Sequence, residues 1–142
     1  MSSSILHTLA ALSFSAVLIP AALLAQGCIT VTIPFSFTAG EQSLQPGEYC
    51  LRPVGMGSDV LLIRDVNRRS ATVTMTFPAG AGKDKGTPVL TFKHYGDDYF
   101  LYQVSDSRRV WQLHQSKAER ELIAQKTRPN AVAVAASLSS KH

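Results

Sequence analysis

Ile29-Thr30-Val31-Thr32-Ile33-Pro34-Phe35-Ser36-Phe37 alternates without a break: each odd position is large and apolar, and each even one is hydroxylated or proline. Side chains of an extended strand point to opposite faces in turn, so five apolar groups share one face and a half-buried strand is predicted. Pro34 has no N–H to give to a ladder, which puts the strand at a sheet edge or at a bulge. Residues 38–47 read as a turn, with Pro46-Gly47 as the strongest signal. Residues 48–54 then return antiparallel beside the first strand, and Cys50 falls opposite Phe35.

The same period continues along the chain. Residues 59–66 and 70–77, split by Asn67-Arg68-Arg69, read as a hairpin whose second strand points Ala71, Val73, Met75 and Phe77 inward and Thr72, Thr74 and Thr76 outward. The glycine-rich residues 78–87 form a loop. Residues 89–95 and 99–105 flank the tight turn Gly96-Asp97-Asp98 as a second hairpin, and residues 110–114 add a strand with Trp111 and Leu113 on one face. One helix is expected, at about 117–127. Ser116 and Glu119 supply an S-x-x-E capping box ahead of Ala118, Leu122 and Ile123, and Pro129 forces an end near Thr127. Residues 130–136 alternate Ala and Val as a last strand, and residues 137–142 read as a disordered tail. Seven or eight short strands and one short C-terminal helix make the fold all-β, a single antiparallel barrel or sandwich. No helix separates consecutive strands, which excludes parallel β-α-β architecture. Outer faces rich in Thr, Ser, Arg and Lys speak against an outer-membrane barrel.

Ahead of this domain, the first 28 residues carry no Lys, Arg, Asp or Glu. An apolar core over residues 9–24 ends at Ala25-Gln26-Gly27-Cys28, and small residues at Ala25 and Gly27 suit signal-peptidase cleavage after either one. Residues 1–27 are therefore expected to be a signal peptide, although the leader lacks the usual positive charge. A retained anchor is the rival reading, but the core is 16 residues long and contains Pro20, short of the roughly 20 apolar residues a spanning helix needs. Leu24-Ala25-Gln26-Gly27-Cys28 also resembles a lipobox, with Ala25 where Leu, Val or Ile is favoured, so Cys28 is a candidate for lipidation. The expected location is periplasmic or secreted, with a lipid anchor if Cys28 is acylated. Contact with a membrane is expected only through the leader or that lipid.

Residues 28–136 are enough for one domain and one core. Residues 41–105 hold seven basic and seven acidic groups, while residues 106–142 hold seven basic and three acidic. The excess of positive charge thus lies in the C-terminal quarter, where a solvated helix face accounts for it, and no nucleic-acid partner is expected. With Cys50 opposite Phe35, Cys28 would stand about 20 Å away along its strand, beyond the roughly 7 Å that a disulfide spans between Cα atoms. A bridge between the two requires that these strands are not a simple hairpin; otherwise the thiols are free, lipidated or intermolecular.

Motifs for chemistry fail on context. Gly80-Ala81-Gly82-Lys83-Asp84-Lys85-Gly86 lacks both the P-loop spacing and a following helix. A metal site would want His94, Asp97 and His114 to converge, yet His94 shares the phase of Leu90 and Phe92 while Asp97 occupies a turn. Ser105 or Ser107 could join a histidine and an aspartate on paper, without a nucleophile elbow, and Cys50 has no neighbouring histidine. No catalytic residue, cofactor or metal ligand is assigned. Tyr95, Tyr99, Tyr102, Arg108 and Arg109 are the candidates for a binding surface.

The run Val31-Thr32-Ile33-Pro34-Phe35-Ser36-Phe37-Thr38-Ala39-Gly40, with Pro46-Gly47-Glu48-Tyr49, Val60-Leu61-Leu62-Ile63, Tyr95-Gly96-Asp97-Asp98-Tyr99-Phe100-Leu101 and Ser116-Lys117-Ala118-Glu119-Arg120-Glu121-Leu122, resembles a group of small exported β-rich proteins plentiful in acidobacteria. The resemblance covers roughly residues 29–135. It implies export and one compact domain, transfers no active site, and does not include the cysteines. The expected function is a non-enzymatic binding or scaffolding role in the periplasm or envelope, with an envelope component or a protein as partner. The alternatives are a carrier of a small apolar ligand inside a barrel, or an enzyme of unrecognised class using His94, Asp97 and His114.

Overall fold

A computed structural model describes residues 27–55, 59–68, 70–82 and 86–139. The leader, and with it the expected signal peptide, lies outside them. In chain order the elements are β1 Cys28–Ile33, β2 Phe37–Ala39, β3 Gln42–Leu44, β4 Gly47–Val54, β5 Val60–Asp65, β6 Ala71–Ala81, β7 Val89–Tyr95, β8 Asp98–Ser105, β9 Arg109–Leu113, α1 Lys117–Ala124, β10 Asn130–Ala135 and β11 Ser137–Ser139. The fold is all-β with one short helix. Its strand count is eleven among the described residues rather than seven or eight, and the ladders run β10-β7-β8-β9-β6-β5-β4-β1-β11.

The barrel expectation is corrected by the ends of that path. β10 pairs with β7 and β11 with β1, but β10 and β11 are successive pieces of one segment and share no ladder, so the sheet is not a closed barrel. Nor is it wholly antiparallel, because β2 runs parallel to β8 at Thr38 and Phe100. One long strand joins its two halves: β6 pairs with β5 through residues 71–75 and with β9 through residues 76–81. Side chains from both halves meet in a single core that includes Val31, Ile33, Leu51, Leu61, Leu90, Val104 and Leu113. Phe37 lies edge-on to Tyr49 at 5.3 Å and to Phe92 at 5.5 Å, and these rings occupy the middle of that core.

Pro34 ends β1 outright instead of bulging it. The chain then crosses to the other half, where β2 and β3 form a small hairpin within the segment expected to be only a turn. This detour resets the register. β4 pairs with β1 so that Ile33 faces Gly47 and Thr30 faces Cys50, five residues away from the pairing with Phe35 that a simple hairpin implies. Cys28 and Cys50 become diagonal neighbours with Cα atoms 5.6 Å apart and form a disulfide. A sulfur in a disulfide cannot also carry a thioether-linked lipid, so bridging and lipidation of Cys28 exclude each other.

Two further expectations are reversed. Thr74 and Thr76 are buried, while Val73 and Met75 are 63% and 61% exposed. The phase of β6 is set by its partners: Thr74 faces buried Leu61 and Thr76 faces buried Leu113. Residues 137–139, expected to belong to a frayed tail, form β11 on the open edge of β1; residues 140–142 lie outside the described set.

At the β2–β3 turn, Gly40 sits at φ +59°, and a Cβ there would stand 2.6 Å from Thr74 Oγ1. Both the left-handed backbone and the close approach demand glycine. Gly40→Ala is expected to destabilise the fold by about 2 kcal/mol, with partial recovery when Thr74→Ala is added; chemical denaturation of the three variants checks it. Removing the disulfide by Cys50→Ser should cost about 3 kcal/mol, since the bridge closes a loop of 22 residues in the unfolded chain. Denaturation midpoints with and without a reductant measure that loss in the unaltered protein.

Candidate functional site

Helix α1 is fixed to the outer face of β7 and β8. Ser116 caps it by accepting from the Glu119 N–H at 3.1 Å, and the Glu41 carboxylate accepts from the Lys117 N–H at 3.1 Å. Its C-terminus closes with the Thr127 N–H on the Leu122 carbonyl and the Lys126 N–H on the Ile123 carbonyl, with Lys126 left-handed at φ 61°. That is a Schellman arrangement, which stops the helix before the expected residue 127.

The Glu119 carboxylate of the capping box turns inward under the helix. Tyr95 Oη donates to its Oε1 at 3.0 Å, and Lys93 Nζ lies 3.8 Å from the same oxygen. Tyr95 also meets Phe100 edge-on at 5.7 Å, making a small second core between sheet and helix. Lys93 Nζ stands 4.1 Å from the centre of the Tyr102 ring, a cation–π contact. A bulge aims that ring: Thr91 pairs with Gln103 and Phe92 with Leu101, so Tyr102 is the extra residue of β8.

Beside this anchor lies an open cleft of about 340 Å³. Phe77 of β6, Lys93 of β7, Tyr102 of β8 and Gln112 with Leu113 of β9 form its floor, while His114, Gln115 and Arg120 form its wall at the start of the helix. Phe77 and His114 pack with ring centres 4.9 Å apart. Lys93 and Arg120 outnumber Glu119, and the two glutamine amides can donate or accept, so the cleft suits an anionic group with polar neighbours.

The sequence-derived surface does not survive as one patch. Tyr95 is only 2% exposed, covered by α1 because its phase on β7 faces the helix. Tyr99 stacks between His94, at 4.0 Å, and Phe35, at 3.9 Å. Arg108 and Arg109 are exposed at the β8–β9 turn, where the Asp106 carboxylate accepts from both backbone N–H groups. Of the five residues, only Tyr102 reaches the cleft. His94 and His114 are not brought together either: His94 stacks toward the core-side ring of Phe35, while His114 shares the cleft with Lys93, whose position alternates with His94. Asp97 is exposed in the hairpin turn. Ser105 Oγ donates to the Val89 carbonyl at 3.3 Å. Among the described residues no group of three His, Cys, Asp or Glu is placed to hold a metal ion, and no helix is long and apolar enough to cross a membrane.

Gln112, Gln115, Phe77 and Arg120 were missed by the motif search. The signal that marks them is phase: Gln112 alternates with buried Trp111 and Leu113, and Lys93 with buried Phe92. No family model, no curated protein and no solved structure matches this chain.

Burial first, then the hydrogen bond to Glu119 and its charge, push the Tyr95 phenol up from 10.0 to about 12. Between those values the folded chain keeps a proton that the unfolded chain has lost, so the Tyr95 contribution is complete below pH 10.0 and drains as pH rises toward about 12. Unfolding free energies measured across that alkaline window should fall with pH, and Tyr95→Phe should flatten the slope.

Proposed function

We propose that this protein is an exported, non-enzymatic binding domain of the periplasm or cell envelope, and that the cleft beside α1 is its binding face. The observation that carries the reading is the convergence of Lys93, His114 and Arg120 with the side-chain amides of Gln112 and Gln115 around one open concavity. Its lining offers charge and hydrogen bonds to a ligand, while two of the groups that hydrolysis would use are engaged elsewhere, Ser105 on the Val89 carbonyl and His94 against Tyr99. The disulfide supports the compartment, because such bonds persist in oxidising surroundings outside the cytoplasm. The uncharged leader supports it independently.

Calorimetric titration of the disulfide-bonded protein with glucuronate, inorganic phosphate and neutral glucose tests the binding face. The anions are expected to bind and glucose not to, with Arg120→Gln weakening the anions about tenfold, the scale of one charge-assisted hydrogen bond. Equal behaviour of charged and neutral compounds would sink the reading. Intact mass of the protein recovered from its own envelope fraction tests export, and the expected chain begins after Ala25 or Gly27 with Cys28 and Cys50 bridged.

A further inference from the structure

Strand β6 carries an apolar row that the core does not use. Val73 and Met75 point outward and are 63% and 61% exposed, although each is large enough to stabilise the fold if buried. Side chains two residues apart share a face, so the row Val73, Met75, Phe77 runs about 13 Å along the strand. It does not stop in open surface, because Phe77 is the apolar floor of the cleft. The row also has width. Val60 lies opposite Met75 and Leu62 opposite Val73 on β5, both half-buried on the same outer face, and Val54 opposite Val60 is 40% exposed. Soluble monomers seldom leave contiguous apolar rows of this kind without a use.

We infer that the cleft and this row form one site for a single-chain anionic amphiphile such as a fatty acid. Its carboxylate lies in the cleft toward Arg120 and Lys93, and its hydrocarbon tail passes Phe77 and runs along Met75 and Val73. The inference rests on the reading of the cleft as the binding face and adds the ligand class. The concavity beside Arg120 places the carboxylate: the cleft with its amides and Lys93 lies at the Phe77 end, while the Val73 end offers apolar side chains from two adjacent strands, bordered on the same outer face by Arg52, opposite Leu62, and Arg64, opposite Ala71. A purely polar anion would leave the row uncovered, and a neutral hydrocarbon would leave the cations unmatched.

Dodecanoate, butanoate and dodecanol, each titrated into the disulfide-bonded protein below its aggregation threshold and followed by calorimetry and amide NMR, decide the matter. Dodecanoate is expected to bind at least about tenfold more tightly than butanoate, because several methylene groups leave water along the row. Val73→Thr with Met75→Thr keeps strand-compatible residues at exposed positions; the pair should erase that difference while leaving butanoate unchanged, whereas Arg120→Gln should weaken both acids. If butanoate binds as tightly as dodecanoate, the cleft remains an anion site and the amphiphile inference fails alone. If neither acid binds, both readings fall. Equal affinity for dodecanol and dodecanoate, or sedimentation with anionic lipid vesicles without uptake of monomeric dodecanoate, also overturns the inference.

Discussion

A strand that belongs to two ladders cannot choose its own phase, and β6 is such a strand. Its N-terminal half must match Leu61 and Ile63 of β5, and its C-terminal half must match Leu113 of β9. All three partners point inward. Because a one-residue shift moves every side chain to the other face, satisfying them sends Thr74 and Thr76 into the core and Val73, Met75 and Phe77 to the outside. The arrangement is tolerable because Gly40 approaches Thr74 closely and every buried side-chain polar atom among the described residues has a partner. Much else follows from it, since the residue that floors the cleft and the residues that extend it away from the helix are those β6 had to turn outward.

The helix depends on the sheet in the same way. Eight residues are too few to be stable alone, and α1 buries little besides Glu119 and part of Leu122. What holds it is polar: the Ser116 cap, the Glu41 carboxylate at its first turn, and the Glu119 oxygen beneath Tyr95 and Lys93. These contacts set the wall of the cleft, because Arg120 follows Glu119 directly. An acid that locks the helix inward therefore orients its basic neighbour toward the cleft.

The all-β class, both hairpins and the helix start were legible because each rests on local period and turn chemistry. Ile29, Val31 and Ile33 are buried as their alternation requires, and Ser116 caps as its spacing implies. What was illegible depended on partners distant in sequence. Treating residues 38–47 as a plain turn misplaced Cys50 by five residues, because β2 and β3 leave the first half of the sheet to pair elsewhere. The phase of β6 was misread because its own composition favours the apolar set, and only its ladder partners on β5 and β9 reverse it. Tyr95 looked like a surface aromatic until the helix that covers it was placed. The cleft residues carry no motif at all: Phe77, Lys93, Tyr102 and Gln112 come together from four adjacent strands, and His114, Gln115 and Arg120 join them from the helix and its approach.

The segment from β10 to β11 has a consequence in time. Residues 137–139 lie against residues 28–30, and residues 130–135 complete the edge beside β7. Both ends of the strand order are thus formed by one stretch of the chain. Without it β1 and β7 would each keep a bare edge, and ladders that join residues so far apart in sequence are the slow ones to close. A bare strand edge is a template on which other chains can pair, and here one short segment covers the edges of both β1 and β7.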